Sequence, residues 1–297
     1  MTATPTLPAD LERAVSAPDQ PAHRTSGRAR RRDRGVDPIA WWLRILATAV
    51  GLFFILPTLF VIPMSFSEST TFQFPPQGFS LQLYRNFFTD PAWLTSLRNS
   101  VLVALTAAVI ATVVGTAAAV GLNRLTGRLA GIARTLLMIS IVTPGIVLAV
   151  AVYISFLRWH LVGTFTGYAL AHAALGVPFV LVAVTSALGA FDTKLLRASA
   201  SLGATPLRTF QRVTLPLISR GVITGAIFAF VTSFDEVVIA LFLRSPTFQT
   251  LPVQMFNSVT FQVDPTIAAS SSLVVTVVTL VCLVPQFVGR RRPDRQE

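Results

Sequence analysis

The sequence predicts an all-α membrane protein with six transmembrane helices, and three observations predict it. Of its 297 residues, 53% are hydrophobic and only 12% charged, where soluble domains carry about 25% charged residues. Six apolar stretches, 42–64, 99–122, 135–157, 168–191, 221–243 and 267–288, each reach the roughly 20 residues that cross about 30 Å of hydrocarbon. Backbone groups in lipid must be hydrogen-bonded internally, so these stretches are helices. Basic residues crowd alternate connections, which sets the orientation.

Ahead of the first stretch, residues 1–38 are rich in Arg, Pro and Ala and hold too little apolar material to fold. They are expected to form a disordered cytoplasmic tail. The run Arg30-Arg31-Arg32 resembles a twin-arginine export signal, but the apolar stretch after it is too long for one and no small-residue cleavage site closes it. That stretch is read as an uncleaved first span, with Trp41 and Trp42 as inner interfacial anchors. The net charge of +11 does not indicate nucleic acid, because the arginines lie in the tail and connections rather than on an aromatic-interleaved surface. A basic run beside a span meets anionic membrane lipid instead.

The outer connection 65–98 carries Phe66, Phe72, Phe74, Phe79, Tyr84, Phe87, Phe88 and Trp93 around Pro75-Pro76, and its second half is expected to form interfacial helices. In the second span Ala107, Ala108, Ala111, Gly115, Ala118, Ala119 and Gly121 recur at intervals that let helix backbones approach closely, so this span is expected at a helix interface. Pro57, Pro144 and Pro178 fall inside spans and predict kinks.

With the tail inside, the inner side also receives Arg124, Arg128 and Arg134, then Lys194, Arg197, Arg208, Arg212 and Arg220, and finally Arg290, Arg291, Arg292 and Arg295. The outer side keeps Arg85, Arg98, Arg158 and Arg244. Both termini are therefore expected in the cytoplasm, with one membrane domain over 39–289 and a basic tail over 290–297. The lone Cys282 excludes an intramolecular disulfide.

Between the fourth and fifth spans lies a polar connection, 192–220, whose core 195–216 reads as helix, break, helix. Gly203 follows a short helical run where a left-handed residue would end it. Thr205 is placed to cap a second short helix, with Pro206 at its first position, where a missing N–H costs nothing. That helix is expected to run to about Val213, with Pro216 opening the next apolar run. The small residues Ala198, Ser199, Ala200, Gly203 and Ala204 would let another protein's backbone come close.

Ala198, Gly203 and Val213-Thr214-Leu215-Pro216 fall on the spacing E-A-A-x3-G-x9-I-x-L-P. The chain thus resembles the permease subunits of binding-protein-dependent ABC importers. The resemblance implies that this loop docks on an ATPase, with Arg197 where the motif glutamate stands and Ser199 at its second alanine. It also implies a second permease subunit, an extracytoplasmic solute-binding protein, and ATP with Mg held by the ATPase rather than by this chain.

The fifth span contains Ser233, Asp235 and Glu236 well inside apolar sequence, nearer its outer end. Carboxylates at such a depth face protein or a water-filled path. On one helix, neighbours point about 100° apart, so one acid is expected on the pathway and the other on a neighbouring helix. The segments 233–240, 250–252, 255–259 and 263–267 are similar to the spermidine/putrescine branch of the permease family, which implies a polyamine as solute; a polyamine cation would favour acids along its path, which fits Asp235 or Glu236 as a passing contact.

No G-x-x-x-x-G-K-[ST] loop occurs, so an ATP site of that type is excluded, as are a G-x-S-x-G elbow and an H-E-x-x-H pair. His160 and His172 have no Cys, Asp or Glu at ligand spacing and receive no role. Two rival classes stay open. A proton-coupled secondary transporter using Asp235 or Glu236 would lose uptake with the proton gradient, and a membrane assembly factor would carry no flux at all.

Overall fold

A computed structural model describes residues 41–68, 75–76, 78–190, 192 and 194–288. The expected tails 1–38 and 290–297 with their arginines, the outermost ends of the membrane domain, Phe72, Phe74 and the last residue of the fourth predicted span, Phe191, lie outside the described residues. Among those described, the elements are helical apart from one antiparallel bridge between Ser67 and Phe79. They are α1 (Trp41–Ser65), α2 (Gln82–Thr89), α3 (Pro91–Leu122), α4 (Arg128–Val142), α5 (Gly145–Arg158), α6 (Phe165–Gly189), α7 (Lys194–Ser201), α8 (Pro206–Thr209), α9 (Leu215–Phe234), α10 (Val238–Leu243), α11 (Leu251–Asn257) and α12 (Thr266–Val288). Two π-helical turns, Phe210–Thr214 and Ser258–Gln262, lead into α9 and follow α11.

Among the described residues, five helical runs are long and apolar enough to cross a bilayer, and the bent pair α4 and α5 makes a sixth if it crosses as one broken span. Spatially the chain divides inside α1, at Leu52; the part of α1 before that point has Trp41 and Trp42 exposed. The remainder of the fold lies in the second unit, from Phe53 onward.

Its centre is a trio, α3, α6 and α9, each packed on the other two. Small residues make this possible: a Cβ built on Gly176 of α6 would lie 3.0 Å from both Ala111 of α3 and Ala229 of α9. Val180, Leu181 and Val184 of α6, with Ile218 of α9, complete the buried layer toward one end. The small-residue face expected on the second span is buried at Ala107, Ala108, Ala111, Gly115 and Ala119, while Gly121 lies open.

Three expectations need correction. The third span, expected over 135–157, is two helices that meet at 105°. Pro144 supplies no N–H and holds Thr143 extended (φ −70°, ψ 131°), so the helix stops rather than kinks. Pro57 and Pro178, by contrast, sit in unbroken helices. The second span starts well before residue 99, at Pro91, because Asp90 accepts the N–H of Ala92 at 2.7 Å and Pro91 occupies the first turn. The fifth span, expected as one helix over 221–243, begins at Leu215 and ends at Phe234, and α10 follows after a break.

The expected helix in the outer connection is α2. Its Tyr84 hydroxyl lies 2.8 Å from Ser65 Oγ at the end of α1 and donates to Ser272 of α12 at 3.3 Å. Ser100 and Asn99 of α3 hold the segment before α11, accepting the Leu251 N–H at 2.7 Å and donating to the Gln249 carbonyl at 3.0 Å.

Candidate functional site

The first site is the elbow between α6 and α9. Asp192 accepts the N–H of Lys194 at 2.8 Å and starts α7. Gly203 ends it with φ +74°, a left-handed conformation that costs glycine nothing. The N–H of Gly203 then reaches the Ala200 carbonyl at 2.9 Å and that of Ala204 the Ser199 carbonyl at 3.2 Å. Thr205 caps α8 by accepting from Arg208 at 3.4 Å, and Pro206 follows it, as expected.

Ser199, at the motif's second alanine, does what alanine cannot: its hydroxyl meets that of Thr209 at 2.8 Å and pins α7 to the end of α8. Arg197, Ala198, Gly203, Pro206, Leu215 and Pro216 are exposed, and Ser199 and Ala204 half-buried.

Beyond α8 the expected second break at Pro216 does not occur. Residues 206–234 form one helical run, Pro206–Phe234. Pro216 has no N–H to give Arg212, and the ladder just before it slips one residue, with Leu215 donating to Phe210 across a π turn. The elbow is thereby joined without a loop to the fifth span.

The second site is the break at the other end of that run. Phe234 is the last helical residue, and Glu236 turns back over the next helix. Its two carboxylate oxygens accept the N–H groups of Ile239 and Ala240, each at 3.0 Å, and so cap α10. The two acids therefore do not share a helix, and their separation comes from the break rather than from helical phase.

Across the break stands His172 of α6, which the sequence left without a role. Nδ1 lies 3.0 Å from the Ser233 carbonyl and 2.9 Å from its hydroxyl. A carbonyl only accepts, so this network assigns the ring hydrogen to Nδ1. Nε2 is then bare and faces Glu236 Oε2 at 3.9 Å. One turn earlier on the same face, Tyr168 donates to the Ala240 carbonyl at 2.9 Å. The signal for His172 was a polar ring inside an apolar run, opposite a polar segment in another span.

Of the three pathway residues singled out, Ser233 is buried against His172 and Glu236 is engaged in the cap. Asp235 alone lines a cavity of about 350 Å³, with Phe234, Met255, Phe256 and Thr260 among its walls. A carboxylate at the edge of an apolar, aromatic-walled cavity can hold a cation that carries an apolar chain.

Residues 111–292 match the family described as the binding-protein-dependent transport system inner membrane component. The putrescine transport system permease protein PotI of Escherichia coli (strain K12) is 32% identical over 257 residues, 84% of this chain and 91% of that one. The spermidine/putrescine transport system permease protein PotC of the same organism is 27% identical over 243 residues, 82% of this chain and 92% of that one. Among solved structures, a bacterial ABC transporter that imports the acidic polysaccharide alginate aligns at a TM-score of 0.66 and 13% identity, over 85% of this chain and 96% of that one. The MetNI methionine ABC transporter in inward-facing form aligns at 0.55 and 19%, over 68% and 98%. With the family match running from the centre of α3 through α12, the chain belongs to the inner membrane components of binding-protein-dependent transport systems.

Proposed function

We propose that the elbow 192–220 is the contact through which an ATPase drives this permease, and that the solute is a polyamine. The observation that carries the coupling is the unbroken helical run from Pro206 to Phe234. It has the elbow at one end and the break beside Asp235 at the other. A push on Arg197, Ala198, Gly203, Ala204 or Pro206 is transmitted along that run, past Leu215 and Pro216, with no loop to absorb it. Packing of α9 on α3 and α6 would turn this motion into rocking of the trio, which alternates access to a central path.

In this reading the elbow and both termini face the cytoplasm, in accord with the crowding of basic residues on that side. The chain works with a second permease subunit, ATPase subunits and an extracytoplasmic solute-binding protein. ATP and Mg sit on the ATPase, since this sequence lacks a phosphate loop.

The polyamine reading is supported by the names of the relatives PotI and PotC and by the chemistry at the break. A polyamine alternates ammonium groups with short methylene chains. Asp235 beside Phe234 and Phe256 offers a carboxylate to the first and apolar walls to the second. Ser233 and Glu236 act behind it by fixing the backbone that presents Asp235.

Uptake of labelled putrescine and spermidine in cells lacking only this chain tests both parts, with a panel of anions, sugars and ferric iron beside them. Selective loss of a polyamine uptake that withstands collapse of the proton gradient is the expected result. Loss of another solute instead would keep the importer and discard the polyamine. In normal cells, uptake that fails with the proton gradient while ATP is constant would overturn the ATP-driven reading.

A further inference from the structure

The elbow exposes two stripes that nothing among the described residues covers. Leu195 and Ala198 of α7 and Leu202, whose N–H still reaches the Ala198 carbonyl at 3.2 Å just past the helix end, recur at intervals of three and four and so share a face. All three are exposed, Leu202 at 87%, and Leu207 on α8 adds a further apolar side chain that is 65% exposed. Beside them Lys194 and Arg197 form a second exposed stripe, while Leu196 and Ser199 are half-buried.

Charge on this surface is predominantly positive. Between residues 190 and 234 the chain has five cations, Lys194, Arg197, Arg208, Arg212 and Arg220, and one acid, Asp192. All five cations are exposed, and among the described residues none is in an ion pair. Asp192 caps the backbone of Lys194. The elbow therefore holds bare leucines and unpaired positive charge on a knob that the Ser199–Thr209 bond keeps rigid.

A lipid surface would also attract leucine and arginine, but distance argues against it. The run Pro206–Phe234 has 29 residues, about 43 Å at the rise of an α-helix. Even with Phe234 at the far edge of the hydrocarbon, about 13 Å of it would project past the near edge. That carries Arg208 beyond the headgroups, together with α7, which packs on α8, and leaves Arg212 near them.

We infer that the elbow's partner surface is an apolar socket with an acidic rim, in which Leu202 and Leu195 enter the floor and Lys194, Arg197 and Arg208 meet Asp or Glu side chains. This rests on the reading of the elbow as the ATPase contact and adds the chemistry of the other side. Arg197 stands where the motif has an acid, so the facing position on this partner should carry the opposite charge to that of a partner suited to the acid.

The experiment places a photoreactive benzoylphenylalanine at Leu202 in the full complex in native membranes and maps the captured peptide. The expected product is a segment of the ATPase chain, recognised by its phosphate loop, that contains apolar residues flanked by Asp or Glu. Arg197→Glu should then lower recovery of the ATPase about tenfold at low salt, and Lys in place of the mapped acid should restore it. Capture of an ATPase segment without acids, or no rescue by the swap, overturns the acidic rim and leaves the ATPase contact standing. Capture of lipid or of another protein overturns both.

Discussion

Nε2 of His172 on α6 lies 3.9 Å from Oε2 of Glu236, just past the end of α9. The other edge of the same ring is held by Ser233, one residue before that end. His172 is therefore a positioning residue: it ties the central helix of the trio to the end of α9, while Tyr168, one turn earlier on α6, holds α10 on the other side of the break that presents Asp235.

His172→Leu should unfold more readily than Ser233→Ala. The leucine leaves the buried Ser233 carbonyl without its donor, a loss of about 2–3 kcal/mol, whereas the alanine keeps that bond and loses only the hydroxyl contact, about 1 kcal/mol. Thermal unfolding of the purified chain in detergent measures the order. Equal midpoints, or a larger drop for the serine variant, would mean that the ring does not fasten the break.

The two neighbouring acids should separate in their effects. Asp235 is exposed and lines the cavity, and among the described residues its side chain has no hydrogen-bond partner. Asp235→Asn should lower cation uptake severalfold while leaving the unfolding midpoint within the small change expected of a surface substitution, about 0.5 kcal/mol. Glu236→Gln keeps one acceptor oxygen where two N–H groups need one each, so it should also destabilise the chain by about 1 kcal/mol. Transport in proteoliposomes and thermal unfolding, run on both variants, distinguish them. Equal stability losses would contradict the division of labour.

The helices were legible in the sequence wherever a local rule sets them. Apolar length marks the spans, and Gly203, Thr205 and Pro206 mark the elbow, because a cap and a left-handed turn are decided within a few residues. Asp90-Pro91 carried the same kind of signal for the start of α3, hidden by the polar residues that follow. The break after Phe234 was not legible, since apolar sequence resumes directly after Asp235 and Glu236 and hydropathy is blind to backbone direction. Nor was the role of His172, whose partners are 61 and 64 residues away in sequence and meet it only once α6 and α9 are packed. At Pro144 the residue was right and the size of the effect was not: a proline can bend a helix or end it, and the extended Thr143 decides for ending.

Close approach within the trio makes a side chain costly at Gly115, Gly221 and Gly225 and free of contact at Gly121. A Cβ on Gly115 would lie 2.7 Å from the Val180 side chain, and one on Gly225 would lie 2.8 Å from the Val180 backbone. Gly115→Ala and Gly225→Ala should each destabilise by about 1–3 kcal/mol through overpacking. The second should be the worse, because a backbone atom cannot turn aside. Gly121 has nothing within 4 Å of its Cβ position, so Gly121→Ala should be neutral or stabilise by about 0.5–1 kcal/mol through helix propensity. Unfolding midpoints of the three variants give the test, and a loss at Gly121 as large as at Gly225 would refute the close-packed arrangement.

At Gly203 space and conformation separate cleanly. Nothing lies within 4 Å of its Cβ position, yet φ is +74°. A side chain there meets no neighbour and strains only the backbone. Gly203→Val, β-branched, should carry the full penalty of the left-handed region, about 1–2 kcal/mol, whereas Gly203→Asn, which tolerates that region, should carry little of it. The strain can be relieved only by opening the turn between α7 and α8, which moves Arg197 and Leu202 relative to Pro206. Membrane insertion and the packing of the trio, which lie away from the turn, should be untouched. The expected result is therefore normal membrane levels for both variants, with recovery of the ATPase on affinity purification falling for valine and holding for asparagine. If the valine variant recovers the ATPase as well as the parent does, the turn at Gly203 does not set the docking geometry.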